Sequence, residues 1–140
     1  MGNMMFRKMQ IKDYEEAYNL WKEVEGVGLS SADEKHNIEK YLKRNEGLSF
    51  VAEQNGKVIG AVLAGHDGRR GYIHHLAVDE ENRSEGIGST LVEKCIEQFK
   101  NEGIEKCHIV VFGGNNLGRK FWNTQGWTRR DDLYMYFKEL

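Results

Sequence analysis

Apolar positions along the chain switch between two periods. Ala17, Leu20, Trp21 and Val24 recur at intervals of three and four, which predicts an amphipathic helix running from an Asp13 cap to about residue 25. Gly26-Val27-Gly28 breaks it, and Ser31 followed by Glu34 reads as a capping box for a second helix with Ile38, Tyr41 and Leu42 inward, ending at residues 45–47. Residues 5–10 suit a first strand. A meander follows, in which residues 48–53 and 57–64 are strands joined by Asn55-Gly56, a strong hairpin signal. After a turn region at 65–71, residues 72–78 form its third strand. Helical spacing returns over residues 86–100, where Ile87, Leu91, Val92, Cys95, Ile96 and Phe99 share one side and Gly103 stops the run. Residues 106–112 read as a strand, 117–124 as a short helix ended by Gly126, and 127–130 and 133–138 as two final strands. The order β-α-α-β-β-β-α-β-α-β-β predicts an α/β (α+β) fold around a central mixed sheet. No proline, repeat or linker interrupts it, so residues 1–140 are expected to form one domain.

Composition narrows the partners. With 39% hydrophobic and 30% charged residues the chain has an ordinary soluble balance. A net charge of −2 supplies no basic footprint for nucleic acid, and Arg69-Arg70 and Arg129-Arg130 read as solvated turns. Apolar runs such as residues 109–112 are far too short to cross a bilayer, the N-terminus shows no secretory h-region, and Phe6 stands where a myristoylation signal needs Ser or Thr. Cys95 and Cys107 form no CxxC pair, and no cluster of His, Cys or carboxylates has metal-ligand spacing. A cytoplasmic location is expected, with no metal, no nucleic acid and no membrane.

The informative segment runs from Leu76 to Gly88: Leu76-Ala77-Val78-Asp79-Glu80-Glu81-Asn82-Arg83-Ser84-Glu85-Gly86-Ile87-Gly88. It is a strand end, an acidic loop and a helix start. N–H groups of a helix's first turn lack intrahelical partners and favour an anion, and Gly86 and Gly88 let one approach the backbone closely. A pyrophosphate is the natural guest, with Arg83 adding charge. A plain helix-start turn tolerates the same glycines. Two other phosphate loops are excluded: Ser89-Thr90 follows Gly88 where a Walker loop has lysine, and Leu91 stands where a Rossmann fingerprint has Gly or Ala.

This segment resembles the signature of the GCN5-related N-acetyltransferase (GNAT) superfamily: a strand ending Leu-x-Val, an acidic loop, then Arg/Gln-x-x-Gly-x-Gly/Ala. A second block, Asn115 to Trp127 (Asn115-Asn116-Leu117-Gly118-Arg119-Lys120-Phe121-Trp122-Asn123-Thr124-Gln125-Gly126-Trp127), is similar to the family's Asn, aromatic and Gly-aromatic segment. The resemblance implies acetyl-CoA as acyl donor, an amine as acceptor, and fourth and fifth strands, residues 72–78 and 106–112, that splay apart. The pantetheine arm would lie in that gap, pairing with the backbone of Leu76 and Val78 across Ala77. The pyrophosphate would sit on the N–H groups of residues 84–89: Ser84, Glu85, Gly86, Ile87, Gly88 and Ser89. Asn115 and Phe121 would contact the cofactor, with Trp122 beside them; Asn115 equally suits a helix cap and Phe121 the core. A homodimer is open by analogy.

Acetyl transfer needs a base for the amine, a donor for the oxyanion and an exit for the thiolate. The resemblance assigns the oxyanion donor to a backbone N–H, that of Leu76. Strand alternation places Tyr72, His74, Leu76 and Val78 on one face and Ile73, His75 and Ala77 on the other. Residues 72–78 are similar to arylalkylamine N-acetyltransferases, whose basic histidine falls on His74; a structural histidine is the other reading. His75 is expected to be structural and to point away. Many members carry an acidic tyrosine where this chain has Trp122, and an indole is no useful acid near neutral pH. Either the thiolate leaves unaided or another tyrosine supplies the proton; Tyr134, and after it Tyr136, are the candidates in the last strand, and core or surface packing is the other reading of each. The departure leaves open an acetyl-CoA-binding sensor module without turnover. The acceptor loop is expected at residues 25–33; Glu23, Glu25, Asp33 and Glu34 in and beside it would attract a cationic amine, and a solvated acidic face is the other reading.

Overall fold

Residues 58–65 form the longest fully buried run in the chain, and they build the centre of the sheet. A strand reads as continuously apolar only when both faces are covered. The computed structural model describes residues 3–24 and 28–140, so the Gly26-Val27-Gly28 break and the start of the expected acceptor loop lie largely outside the described residues. The chain divides into two units, Met1–Val110 and Val111–Leu140.

In the first unit, β1 (Met4–Lys8), β2 (Phe50–Gln54), β3 (Lys57–His66), β4 (Gly71–Val78) and β5 (Cys107–Ile109) form one sheet in sequential order. The first four are antiparallel to their neighbours and β5 is parallel to β4, the mixed sheet expected from the sequence. Helix α1 (Tyr14–Glu23) and helix α2 (Lys35–Arg44) supply one face. There Ala17, Leu20, Trp21 and Ile38 pack with Val51, Val58, Ala61, Leu63 and Ala77. Helix α3 (Ile87–Asn101) covers the other face with Ile87, Leu91, Val92, Cys95 and Phe99 buried. Burying each large apolar side chain contributes about 1.5–3 kcal/mol.

Two glycines set how closely α3 lies on the sheet. A Cβ at Gly60 would come within 3.1 Å of Ile87 Cγ2 and Leu91 Cδ1, and one at Gly71 within 2.9 Å of the Phe99 ring. These contacts pin both ends of α3 across β3 and β4 and so locate its N-terminus. Cys95 lies in this layer as a free thiol, and burial pushes its pKa up to about 12.

Local signals were partly displaced. Asp13 makes no cap bond to α1; its carboxylate accepts from the Gln10 N–H and from Arg7 Nη1 and Nη2 at 2.8–2.9 Å. The capping box at the second helix is Ser30 with Asp33, one residue before the expected Ser31 and Glu34, and it closes a 3-10 turn (Ser31–Asp33) ahead of α2. Burial raises the Asp13 pKa, but the hydrogen bonds from Arg7 and Gln10 and the Arg7 charge outweigh it and hold the carboxyl below its usual range. Arg7 also binds Glu53 Oε1 at 2.9 Å, tying β1 to β2. Arg7→Met is expected to cost about 1.5–3 kcal/mol in urea unfolding, because it leaves the buried Asp13 carboxylate without its cation and with only the Gln10 N–H as partner. Asp13's contribution is fully present above the ordinary carboxylate pKa and is lost as pH falls through its depressed value. The acid limb of stability is therefore expected to flatten in the variant.

The second unit holds α4 (Asn116–Thr124). Residues 127–130 and 133–138, expected as strands, form none. Leu133, Tyr134, Met135, Tyr136 and Phe137 are all exposed, so their alternation selects no buried face. A strand needs a partner ladder as well as a pattern, and among the described residues none pairs with this segment.

Candidate active site

The site begins with an irregularity in β4. On one side Leu63 pairs with His74, and on the other Ala61 pairs with Ala77. Val62 alone therefore faces both His75 and Leu76, which is a β-bulge. His75 adopts φ 45°, a left-handed conformation uncommon for a residue with a side chain. The bulge overturns the strict alternation expected from the sequence. His75 does not point away from His74: their ring centroids are 6.2 Å apart, and both lie on the α1/α2 side. His74 meets Tyr41 of α2 edge-on at 6.0 Å and stacks on Tyr72 at 6.4 Å, while His75 packs on Trp21 of α1 at 5.3 Å.

His74 is exposed at one edge, yet desolvation by the surrounding rings lowers its pKa, the neighbouring His75 lowers it further, and Asp33 opposes them; the net direction is down. A cavity of about 150 Å³ opens beside His74, lined by Tyr41, Arg44, Asn45, Gly65, His66, Asp67 and Tyr72. A larger depression of about 430 Å³ lies at Gln10, Ile11, Glu39 and Lys43 and does not include β4.

On its other edge, β4 pairs with β5 only through Gly71, Tyr72 and Ile73, matched to Cys107, His108 and Ile109. The fifth strand is thus shorter than the expected 106–112, and β5 gives no ladder to His74, Leu76, Ala77 or Val78. Beyond Val78 a 3-10 turn (Glu80–Asn82) leads to Arg83, whose Nε donates to the Val78 carbonyl at 3.2 Å. Ser84 at φ 69° and Gly86 at φ 80° then turn the backbone twice, with Glu85 exposed between them. Gly86 is the N-cap of α3 without a side-chain cap, and Ile87, Gly88 and Ser89 make the helix's first turn. An uncapped helix N-terminus of 15 residues is a place where an anion is stabilised.

In the second unit, Asn115 Oδ1 accepts from the Gly118 N–H at 2.9 Å, so the cap reading of Asn115 holds. Phe121 meets Trp122 edge-on at 5.0 Å, and Trp122 in turn meets Trp127 at 4.9 Å; Trp122 is buried and Phe121 half-buried. Tyr134 is 85% exposed and outside any strand.

Sequence reasoning missed the Asp33–His75 pair. His75 Nε2 lies 2.7 Å from Asp33 Oδ1, with both side chains largely buried. The signal available was Ser30-x-x-Asp33, a second possible capping box; nothing in the strand pattern marked the bulge. Among the described residues no group of three or more His, Cys, Asp or Glu is arranged to hold a metal ion, and no helix is long and apolar enough to cross a membrane.

Residues 13–127 match the model of the acetyltransferase (GNAT) family. The chain is 27% identical over 137 residues to acetyltransferase SG1711 of Sodalis glossinidius (strain morsitans), covering 98% of this chain and 96% of that one. In fold it is similar to the aminoglycoside N-acetyltransferase AAC(6')-Iy, solved with CoA, at a TM-score of 0.78, 19% identity and coverage of 100% and 97%. It is similar also to the PaiA N-acetyltransferase of Thermoplasma acidophilum, solved with coenzyme A, at a TM-score of 0.79, 20% identity and 92% of each chain. The open β4 edge, the bulge and the glycine turn occur within a stretch that the family match spans end to end: the chain belongs to the acetyltransferase (GNAT) family and is an acyltransferase.

Proposed function

We propose that this protein transfers the acetyl group of acetyl-CoA to a primary amine, of a small molecule or of a protein or peptide, and that residues 1–140 act as one domain. The observation that carries the reading is the coincidence of two features. The β4–β5 ladder stops at the Ile73–Ile109 pair, and the uncapped N-terminus of α3 follows β4 through a glycine turn. An extended amide chain fits the backbone of Leu76, Ala77 and Val78, and a pyrophosphate fits the turn at Arg83, Ser84, Glu85, Gly86, Ile87 and Gly88, with Ser89 in the same turn of helix. Asn115, Phe121 and Trp122, in the second unit, belong to the family's second motif, and that resemblance alone proposes them as cofactor contacts. The two relatives of similar fold were each solved with CoA, which supports the choice of donor.

When bound, acetyl-CoA supplies an activated thioester. The chain's own residues do the rest. His74 takes the amine proton, directly or through water, and its lowered pKa keeps it neutral and able to accept at neutral pH. The bulge leaves part of the β4 backbone out of the ladder, which suits the Leu76 N–H to the oxyanion role. A CoA thiol has a pKa near that of cysteine, about 8.5, so the thiolate leaves without a dedicated acid. Tyr134 is the alternative proton donor.

Trp122 in the acid position favours a second reading, an acetyl-CoA-binding module without turnover. One experiment separates them. Millimolar acetyl-CoA is expected to raise Tm, since it binds only the folded state, and free thiol is expected to appear with an amine panel of polyamines, aminoglycosides and peptides. A Tm shift with no thiol release on any amine would select the sensor; no Tm shift would defeat both.

A further inference from the structure

The Asp33–His75 pair is assigned no part in the chemistry above, yet it sits at the irregular point of the strand that would carry that chemistry. Asp33 is a junction. Its Oδ1 lies 2.7 Å from His75 Nε2, its Oδ2 accepts from the Ser30 N–H at 3.0 Å, and its carbonyl accepts from the Tyr14 hydroxyl at 2.7 Å. One residue therefore binds β4, the turn before α2, and α1 together. Its carboxylate is 7% exposed and the His75 side chain 16%. At such burial an unpaired carboxylate is costly, so the pair is held closed. On the other side His75 packs on the fully buried Trp21. The strain of φ 45° at His75 persists only because these contacts over-determine it.

We propose that His75 is a positioning residue for acyl transfer: through Asp33 it locks the β4 bulge to the α1–α2 connection, fixing the backbone at residues 75–77 and the placement of His74. The inference rests on the acetyltransferase reading, since only that reading puts the reacting thioester beside the bulge. Its physical content is preorganisation. A backbone donor aimed at a developing oxyanion works only if it does not have to move, and a displacement of about 1 Å can cost on the order of 10²-fold. The same lock explains why a strained residue is retained in the middle of a sheet. It also joins the strand to the turn at residues 30–33, on the side where an acceptor would enter.

The test uses the whole chain and three variants. His75→Asn keeps a residue that tolerates positive φ but is too short to reach Asp33. His75→Gln places a side-chain N–H near the position of Nε2 and does not titrate. Asp33→Ala removes the other partner. Expected are a 10–100-fold fall in kcat for His75→Asn and Asp33→Ala with KM for acetyl-CoA changed by less than about twofold, a double variant no worse than the poorer single one, and recovery of most of the loss in His75→Gln. Amide exchange at residues 30–33 and 75–77 should quicken together, about tenfold or more, in His75→Asn and remain slow in His75→Gln. A His75→Gln variant as impaired as His75→Asn, or a lowered Tm with kcat unchanged, would overturn the proposal. So would faster exchange in one segment without the other. Failure of the wild type to release thiol would instead defeat the acetyltransferase reading, and the exchange measurement would then decide the lock on its own.

Discussion

Gly86→Val is expected to abolish acetyl-CoA binding in a protein that still folds. Gly86 has φ 80°, and a Cβ built on it meets no protein atom within 4 Å. The substitution therefore creates no clash inside the chain, and its structural cost is the backbone strain of one L-residue in the left-handed region. That strain is roughly 1–2 kcal/mol, more for a β-branched side chain, against a typical stability of about 5–15 kcal/mol. The space above Gly86 is where the proposed pyrophosphate meets the start of α3, so the same side chain excludes the ligand. Gly86→Asn separates the two effects. Asparagine tolerates positive φ, so it should restore most of the stability, but it still carries a Cβ and should still not bind. Calorimetric titration with acetyl-CoA reads the affinity, and a thermal melt reads the fold. Normal binding by Gly86→Asn would mean that no anion sits over this turn, and the cofactor assignment would fall with it.

Much of the fold was legible because its signals are local. The spacing of Ala17, Leu20 and Trp21, the Asn55-Gly56 hairpin and the run from Ile87 to Phe99 are each contained in one short stretch of chain, and each element formed where the pattern put it. The glycine turn was legible for the same reason: Arg83, Gly86 and Gly88 lie in one short segment. What was missed depends on partners distant in sequence. The β4 bulge is a mismatch between Val62 and the His75–Leu76 pair, and alternation read along one strand cannot reveal a register shift against another. Asp33 and His75 are 42 residues apart, and their contact follows from that bulge. The final strands failed in the opposite way. Leu133 to Phe137 carry strand-forming side chains, but propensity without a paired ladder leaves them exposed.

His74→Gln is expected to lower kcat/KM by roughly 10²–10⁴-fold, the usual worth of a positioned base, with acetyl-CoA affinity intact. The wild-type pH profile carries the sharper signature. Desolvation by Tyr41, Tyr72 and His75 around an imidazole that still reaches solvent, together with the His75 charge, holds the His74 pKa below its ordinary value near 6.5, so the rising limb of kcat/KM should lie on the acid side of that value. The sign follows from the chemistry: protonated His74 cannot accept a proton, so activity grows as pH rises through the depressed pKa and is flat above it until another group intervenes. The other charged and titratable groups here are Asp33 across His75, and Arg44, His66 and Asp67 on the cavity wall. Removing Asp33 as Asp33→Ala takes away the one group that raises the His74 pKa, and should move the limb further toward acid. In His74→Gln the limb should vanish, since glutamine does not titrate. In His75→Gln it should remain, because that side chain orients and does not accept. A limb that survives in His74→Gln, or a loss smaller than tenfold, would show that the amine reaches the site already deprotonated and that His74 is one more packed ring beside Tyr41.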